Sequence, residues 1–190
     1  EGHVTILSRL KAANSIVWDT RSNNLRTPLH TAAALNGRSE AVVWMLSKCQ
    51  FLPDSPDSCG VTPFMDALRG GHMDVAKSLL RTHKVKVERE DRAGRQALHH
   101  AAQAGQRSSI DFLVLELGVS SCVASSRDGE TALHAAAKDG QAETLHKLLD
   151  LGADITAVDT FGRTALDVAR ACRKDTCVLT LQLRETESKT

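Results

Sequence analysis

The sequence predicts an all-α repeat solenoid, in which helix-turn-helix repeats stack and project β-hairpin fingers. The first observation is a short sequence motif, the repeat phrase, that recurs five times around one large apolar position. The residues at that position are Leu29, Phe64, Leu98, Leu133 and Leu166, at spacings of 35, 34, 35 and 33 residues. The second observation is a glycine about eight residues later, followed by an apolar stretch of helical spacing; these glycines are Gly37, Gly71, Gly105 and Gly140. A regular period of this size is typical of repeats that bury their apolar faces only by stacking.

The recurring phrase carries signals for the start and end of a short helix. Thr27 and Thr131 can cap a helix by accepting a hydrogen bond from a backbone N–H that has no partner within the helix. Pro28 suits the first helical position, where its missing N–H is not needed. A glycine such as Gly140 can adopt the left-handed backbone that ends a helix and turns the chain back. Each repeat is therefore predicted to contain two helices, with a finger such as 159–162 leading to the next repeat.

Residues 26–33 read Arg-Thr-Pro-Leu-His-Thr-Ala-Ala and resemble the Thr-Pro-Leu-His-x-Ala signature of the ankyrin repeat family. The resemblance covers nearly the whole chain. It implies repeats of about 33 residues with two helices and a β-turn. It also implies that His30 and its counterparts bond the backbone of neighbouring loops, and that the chain binds another protein without catalysing a reaction.

The repeat spacing divides the chain into seven predicted segments. They are 1–24 (the C-terminal half of a truncated repeat, and a loop), four repeats at 25–59, 60–93, 94–128 and 129–161, a divergent capping repeat at 162–183, and a polar tail at 184–190. Because half a repeat leaves its apolar face uncovered, we expect further repeats upstream of Glu1. We expect the last repeat to be more polar, since a repeat array needs a polar outer face where it stops.

The composition excludes several classes of protein. Of 190 residues, 42% are hydrophobic and 25% are charged, and the net charge is +1. This balance predicts no binding to nucleic acid, which requires clustered positive charge. No apolar run approaches the roughly 20 residues of a membrane span, and no signal peptide is recognisable. The odd count of five cysteines favours reduced thiols. We therefore expect a cytoplasmic or nuclear protein, as a monomer.

No motif predicts catalysis, a metal site or a cofactor. His30, His99 and His134 occupy one repeat position, so they are expected about one repeat apart rather than around a common metal ion. Cys172 and Cys177 have neither zinc nor redox spacing and are expected to flank the last inter-helix turn.

Residues that the repeat phrase does not require are the candidates for binding a partner, since an array varies its surface on a fixed scaffold. The main set, expected on the concave face and the fingers, is Arg92, Arg95, His100, Gln103, Arg127, Lys138, Phe161 and Arg163. A wider set is Thr31, Asn36, Asp57, Ser58, Asp66, Arg69, Asp128, Glu130 and Thr160. The five cations of the main set predict a basic stripe that fits an acidic partner, with solvated surface charge as the alternative. Phe161 is expected either to anchor an interface or, equally, to pack on the neighbouring finger.

Some strings depart from the common signature and resemble one particular member of the family. They include residues 59–62, Cys-Gly-Val-Thr, and residues 96–99, Gln-Ala-Leu-His. This closer resemblance implies a protein partner, alanyl-tRNA synthetase, and a role in preventing serine mistranslation. The lysines that accept serine in that picture have no counterpart here, and the position after Trp18 is Asp19. The alternatives are a generic adaptor that recruits an unrelated client through the concave face, and a structural spacer in a longer protein.

Overall fold

The computed structural model describes residues 5, 8, 9, 21–35, 39–48, 52–83 and 85–187. The predicted half repeat at 1–24 lies largely outside the described residues, and Trp18, Asn36 and Gly37 lie wholly outside them. The chain divides into two compact units, unit 1 (Glu1–Val87) and unit 2 (Glu88–Thr190).

The described part of unit 1 contains two helix pairs. They are α1 (Pro28–Leu35) with α2 (Ser39–Lys48), and α3 (Pro63–Arg69) with α4 (Met73–His83). Helix α1 packs against α3, and α2 packs against α4. Both first helices begin at a proline as predicted, and the Thr62 hydroxyl caps α3 by accepting from the N–H of Met65 at 3.3 Å. The recurring apolar positions Leu29 and Phe64 are buried in this core.

Unit 2 contains three helix pairs. They are α5 (Ala97–Gln103) with α6 (Arg107–Asp111), α7 (Ala132–Asp139) with α8 (Ala142–Asp150), and α9 (Ala165–Ala171) with α10 (Asp175–Glu187). The first helices stack in the order α5, α7, α9, and the second helices in the order α6, α8, α10. Helix α6 continues as a π-helical turn at Phe112–Glu116. Leu98, Leu133 and Leu166 are buried where the first helices meet. This arrangement is the predicted all-α repeat architecture.

The turns within the helix pairs depend on left-handed backbone. Gly71, Gly105 and Gly140 have φ values of 72°, 73° and 82°, which confirms their predicted role. In the last pair Arg173 stands at this position, with φ of 55°. The fingers are tighter than the predicted hairpins. Among the described residues they contain no strands, only single antiparallel bridges that join Ala124 to Thr131 and Val158 to Thr164.

The recurring histidines connect neighbouring repeats, as the family resemblance implied. In His134, Nδ1 accepts the N–H of Thr131 at 3.2 Å, and Nε2 donates to the carbonyl of Arg163 at 2.9 Å. His30 and His99 make the same pair of contacts, to Val61 and Glu130 respectively. Burial lowers the pKa of His30 and of His99, so the neutral ring that these contacts need is favoured.

The end of unit 2 differs from the predicted polar cap. Helix α10 continues to Glu187, so it includes the first residues of the segment expected as a tail, and Arg184 in it pairs with Asp150. Leu179 and Leu183 are each 61% exposed, so the outer face of this helix is apolar in part. Cys172 ends α9 and Cys177 lies in α10, on either side of the last inter-helix turn as predicted.

Candidate protein-binding face

Two fingers of unit 2 are built around an aspartate. One oxygen of Asp91, Oδ1, accepts the backbone N–H groups of Ala93 at 2.8 Å and Arg95 at 2.9 Å. In the last finger Oδ1 of Asp159 accepts from Phe161 and from Arg163, both at 2.9 Å. The side chain thus satisfies the donors that a tight turn leaves unpaired.

The second oxygen of each aspartate holds the arginine four residues later. Oδ2 of Asp91 lies 3.0 Å from Nε and 2.9 Å from Nη2 of Arg95, while Oδ2 of Asp159 lies 2.8 Å from Nε and 2.6 Å from Nη2 of Arg163. The ring of His100 also approaches Asp91, with Nε2 at 3.0 Å. Burial alone would raise the pKa of Asp91, but its contacts with His100 and Arg95 outweigh burial and hold the pKa well below its usual range.

The finger between these two, at residues 125–130, is one residue longer. Ser125 replaces the aspartate, and Asp128 accepts the N–H of Glu130 at 3.1 Å instead. The N–H of Ser126 bonds to the carbonyl of Gly94 at 3.1 Å, and the N–H of Thr160 bonds to the carbonyl of Asp128 at 2.9 Å. These bonds join the three finger tips of unit 2 in a row.

Phe161 lies at the tip of the last finger and is 75% exposed. The guanidinium of Arg163 lies over its ring, 4.9 Å from the centroid. This distance is within the range of a cation–π contact. The ring contacts an arginine of its own finger and leaves most of its surface open to solvent, which disfavours packing on the neighbouring finger. The alternative, that Phe161 anchors an interface, stays a prediction.

The structure distributes the other predicted site residues unevenly. Arg92 and Arg127 are exposed at finger tips. The Lys138 ammonium lies 3.4 Å from Oε1 of Glu130, and the half-buried Gln103 accepts from Nη1 of Arg95 at 3.4 Å. His100 is only 3% exposed, so its expected place on the binding surface is wrong. Its ring is directed inward to Asp91, because the carboxylate there needs polar partners once it is buried.

The wider set is also divided. Asp57, Asp66 and Glu130 are buried, whereas Thr31, Arg69 and Thr160 are exposed and Ser58 and Asp128 are half-buried. The buried members pair with neighbouring cations and therefore support the scaffold from within.

The cations do not form an uncompensated basic stripe. Three of the cations have an acidic partner: Arg95 pairs with Asp91, Lys138 with Glu130, and Arg163 with Asp159. Within the described part of the chain, only Arg92 and Arg127 of the five lack an ion pair. Asp91 and Asp159 were missing from the sequence-based candidates, although the spacing Asp-x3-Arg occurs in both of their fingers and would have indicated them.

Other kinds of site find no support in the part of the chain that the structure describes. There, no group of three or more His, Cys, Asp or Glu side chains could hold a metal ion. None of the described helices has the length and apolar character needed to cross a membrane.

Comparison with known proteins agrees with this geometry. A family model of three ankyrin repeats matches residues 29–123, and a second model of many ankyrin repeats matches residues 114–169. The chain belongs to the ankyrin repeat family. Ankyrin repeats are protein-binding scaffolds, so the general class of function predicted from the sequence is confirmed.

Individual relatives are longer proteins with different names. The chain is 36% identical to E3 ubiquitin-protein ligase XBAT33 of Arabidopsis thaliana, over 77% of the chain and 33% of the relative. It is 33% identical to probable E3 ubiquitin-protein ligase XBOS33 of Oryza sativa subsp. japonica, over 74% and 34%. It is 32% identical to Inversin of Gallus gallus, over 67% and 11%. The ankyrin chain thus spans about a third or less of the length of these relatives.

Proposed function

We propose that unit 2 binds a protein partner through its finger face, defined as the finger tips that carry Arg92, Arg127 and Phe161. The observation that carries the proposal is the 75% exposure of the Phe161 ring beneath the Arg163 guanidinium. Exposing an aromatic ring to water forfeits the free energy that burial would provide. Aromatic residues and arginine are the side chains that most often dominate binding energy at protein interfaces.

The finger face is organised before any partner binds. Asp159 fixes both the backbone turn that carries Phe161 and the guanidinium that covers one side of its ring. Side chains that are already ordered lose less conformational entropy on association. Arg92 on the first finger of the row and Arg127 on the middle finger add exposed positive charge, which would guide an acidic surface into contact.

The proposed role is non-catalytic, without a cofactor, in a monomer. It is supported by the way the polar side chains of the fingers are used, since Asp91 and Asp159 accept backbone donors and hold arginines. We place the protein in the cytoplasm or nucleus. Cys59, Cys122 and Cys172 are exposed and unpaired, as suits a reducing compartment.

The specific partner that we propose is alanyl-tRNA synthetase, with the chain as a cofactor that helps to prevent serine mistranslation. The support is the resemblance of residues 59–62 and 96–99 to ankyrin repeat domain-containing protein 16. Residues 59–62 end a finger of unit 1, and residues 96–99 open α5 in unit 2, so both strings belong to the scaffold.

The test is the affinity of the purified chain for purified alanyl-tRNA synthetase, measured by surface plasmon resonance. Phe161→Ala and Arg127→Glu should each weaken binding about tenfold or more, as expected for residues at the centre of an interface. These positions are preferred to Arg95 and Arg163, whose guanidinium groups also bind the buried aspartates of their fingers. Leu52→Ala is the matched control, because Leu52 is an exposed apolar residue of unit 1.

The outcomes separate the proposals. If the synthetase does not bind the wild-type chain, this partner is rejected. Affinity capture from cytosolic extract then tests the alternatives: a client retained by wild type and by Leu52→Ala but lost with Phe161→Ala indicates a generic adaptor. If no protein depends on Phe161, the finger face is not a binding surface, and a structural spacer is the better description.

A further inference from the structure

The outer helices of unit 2 meet one another through ion pairs. Arg107 of α6 lies 3.3 Å from Glu143 of α8, and Asp111 of α6 lies 2.7 Å from Lys147 of α8. Asp150 of α8 pairs in turn with Arg184 of α10. In each pair of neighbours, the earlier helix therefore presents a polar side chain to the helix that covers it.

The backbone register shows which residues of α10 occupy the same positions. The N–H groups of Gln106, Gln141 and Lys174 bond to the carbonyls of Ala101, Ala136 and Ala169, each at 2.9 Å. Five residues after these points stand Asp111 in α6, His146 in α8 and Leu179 in α10. Nine residues after Gln141 stands Asp150, and nine residues after Lys174 stands Leu183. At the Leu179 position both preceding helices are polar, whereas at the Leu183 position α8 is polar and the π-helical turn after α6 has Leu115.

These two leucines form an apolar strip that no described residue covers. They are four residues apart, so they lie on one side of the helix, and each is 61% exposed. The opposite side of α10 packs inward through Cys177 and Leu181. A strip of this kind, on the side by which α6 and α8 receive the next helix, has the geometry to receive a helix as well.

The charges beside the strip indicate what kind of helix fits. Asp175 precedes the leucines and Glu187 follows them; both are exposed, and Glu187 also lies 3.8 Å from Nη1 of Arg184. A second copy of α10 packed antiparallel across the strip would bring Asp175 close to Glu187 of the other copy, where like charges repel. A helix with basic residues at both ends of an apolar face would meet these acids favourably.

From this placement we infer that the outer face of α10 docks an amphipathic helix of a partner protein, with an aliphatic stripe and basic flanks. The incoming helix covers Leu179 and Leu183 as α10 itself covers α8, and it places cations near Asp175 and Glu187. This end face is separate from the finger face, and the inference does not depend on the partner proposed there.

The experiment uses the full chain and a synthetic helical peptide with leucines on adjacent turns and lysines at both ends. A twin peptide has glutamates in place of the lysines. In a titration followed by ¹⁵N NMR, the lysine peptide should shift the amide signals of α10, and the glutamate peptide should bind at least about tenfold more weakly. The double variant Leu179→His, Leu183→Asp, which copies the residues of α8, should weaken the lysine peptide at least about tenfold.

Two controls make the result decisive. Circular dichroism should show the double variant folded, since both leucines are exposed, and Leu115→Asp, another exposed leucine of unit 2, should bind the lysine peptide like wild type. Equal binding of the two peptides, no shift in α10 with either, or unchanged binding by the double variant would overturn the inference. A dimer in sedimentation that disappears in the double variant would also overturn it, because the occupant would then be a second copy of the chain.

Discussion

The finger at 57–61 in unit 1 and the finger at 91–95 in unit 2 have the same turn. They differ in where the arginine that pairs with the aspartate comes from. In both, Oδ1 of the aspartate accepts the N–H groups two and four residues later. In unit 2, the second oxygen of Asp91 binds Arg95, four residues along the same finger. In unit 1 the equivalent position is Val61, and Asp57 pairs instead with Arg26, which precedes α1, at 3.0 Å.

This difference changes how far the charge network extends. Arg26 also pairs with the buried Asp66, to which Arg69 binds as well at 2.8 Å. The finger of unit 1 is therefore coupled electrostatically to the repeat before it, whereas the finger at 91–95 is completed by its own arginine. Repeat arrays owe much of their stability to contacts between neighbouring repeats. We expect the shared network to be the more sensitive of the two to substitution.

The largest expected effect is the loss of the acid at the centre of the shared network. Asp66→Ala should lower the free energy of unfolding by about 3 kcal/mol, because it leaves two arginines without their buried carboxylate while both keep some contact with water. Urea denaturation followed by circular dichroism measures the change. Asp74→Asn, an exposed acid of the same unit, should cost less than about 1 kcal/mol. Equal losses for the two variants would mean that the network does not stabilise unit 1.

Replacing the arginines compares the shared and the self-contained fingers directly. Arg26→Ala should cost about 2 kcal/mol, because Asp57 and Asp66 both lose a partner. Arg163→Ala should cost less, since Arg163 pairs with Asp159 alone and Asp159 keeps its backbone donors. The comparison uses denaturation midpoints of the two variants. Arg163 belongs to the last finger, which like the finger at 91–95 is completed by its own arginine. A larger loss for Arg163→Ala would therefore contradict the expectation that the shared network of unit 1 is the more sensitive to substitution.

Both units contain a buried histidine that should make stability depend on pH. Burial lowers the pKa of His30 in unit 1 and of His99 in unit 2. In the unfolded chain a histidine binds a proton at about pH 6.5. The contribution of the neutral His30 and His99 rings to the free energy of unfolding is therefore complete above that pH. It is lost as the pH falls through the lower, folded pKa, at up to about 1.4 kcal/mol per pH unit for each proton.

Denaturation at pH 7.5 and at pH 5.5 measures this dependence. His99→Gln should reduce the loss of stability on acidification, because one group no longer takes up a proton on unfolding. His30→Gln should have a similar effect, since the two rings make equivalent contacts in their separate units. A variant whose pH dependence equals that of wild type would show that its histidine does not contribute.

Much of the fold could be predicted because its signals are local and periodic. The apolar residue of each phrase, as at Leu98, and a turn glycine such as Gly140 each act within a single helix pair, so their spacing is enough to place the helices. The contacts of His134 followed from the family resemblance, since they are repeated from one repeat to the next. The tightness of the fingers and the π-helical turn after α6 had no comparable signal.

The candidate site could be predicted only in part. Phe161 was selected because the repeat does not require an aromatic there, and it is exposed. His100 and Asp66 were selected by the same rule, but each occupies a buried position beside charged partners, which depends on contacts between separate segments. For Leu179 a signal existed, because aligning the second helices shows a leucine where His146 and Asp111 stand. The last repeat was expected to be polar overall, so this single apolar position was not selected.

The smallest expected effects belong to the exposed arginines at the finger tips. Arg127→Ala in the finger at 125–130 should change the free energy of unfolding by no more than about ±0.5 kcal/mol, as for surface positions without structural contacts. Arg92→Ala in the finger at 91–95 should do the same, in contrast to Arg95, which lies three residues away and binds Asp91. Thermal and urea denaturation of both variants provide the measurement. A loss well above this range at Arg127 would show that the tip supports the fold, and its replacement could then not serve to test partner binding.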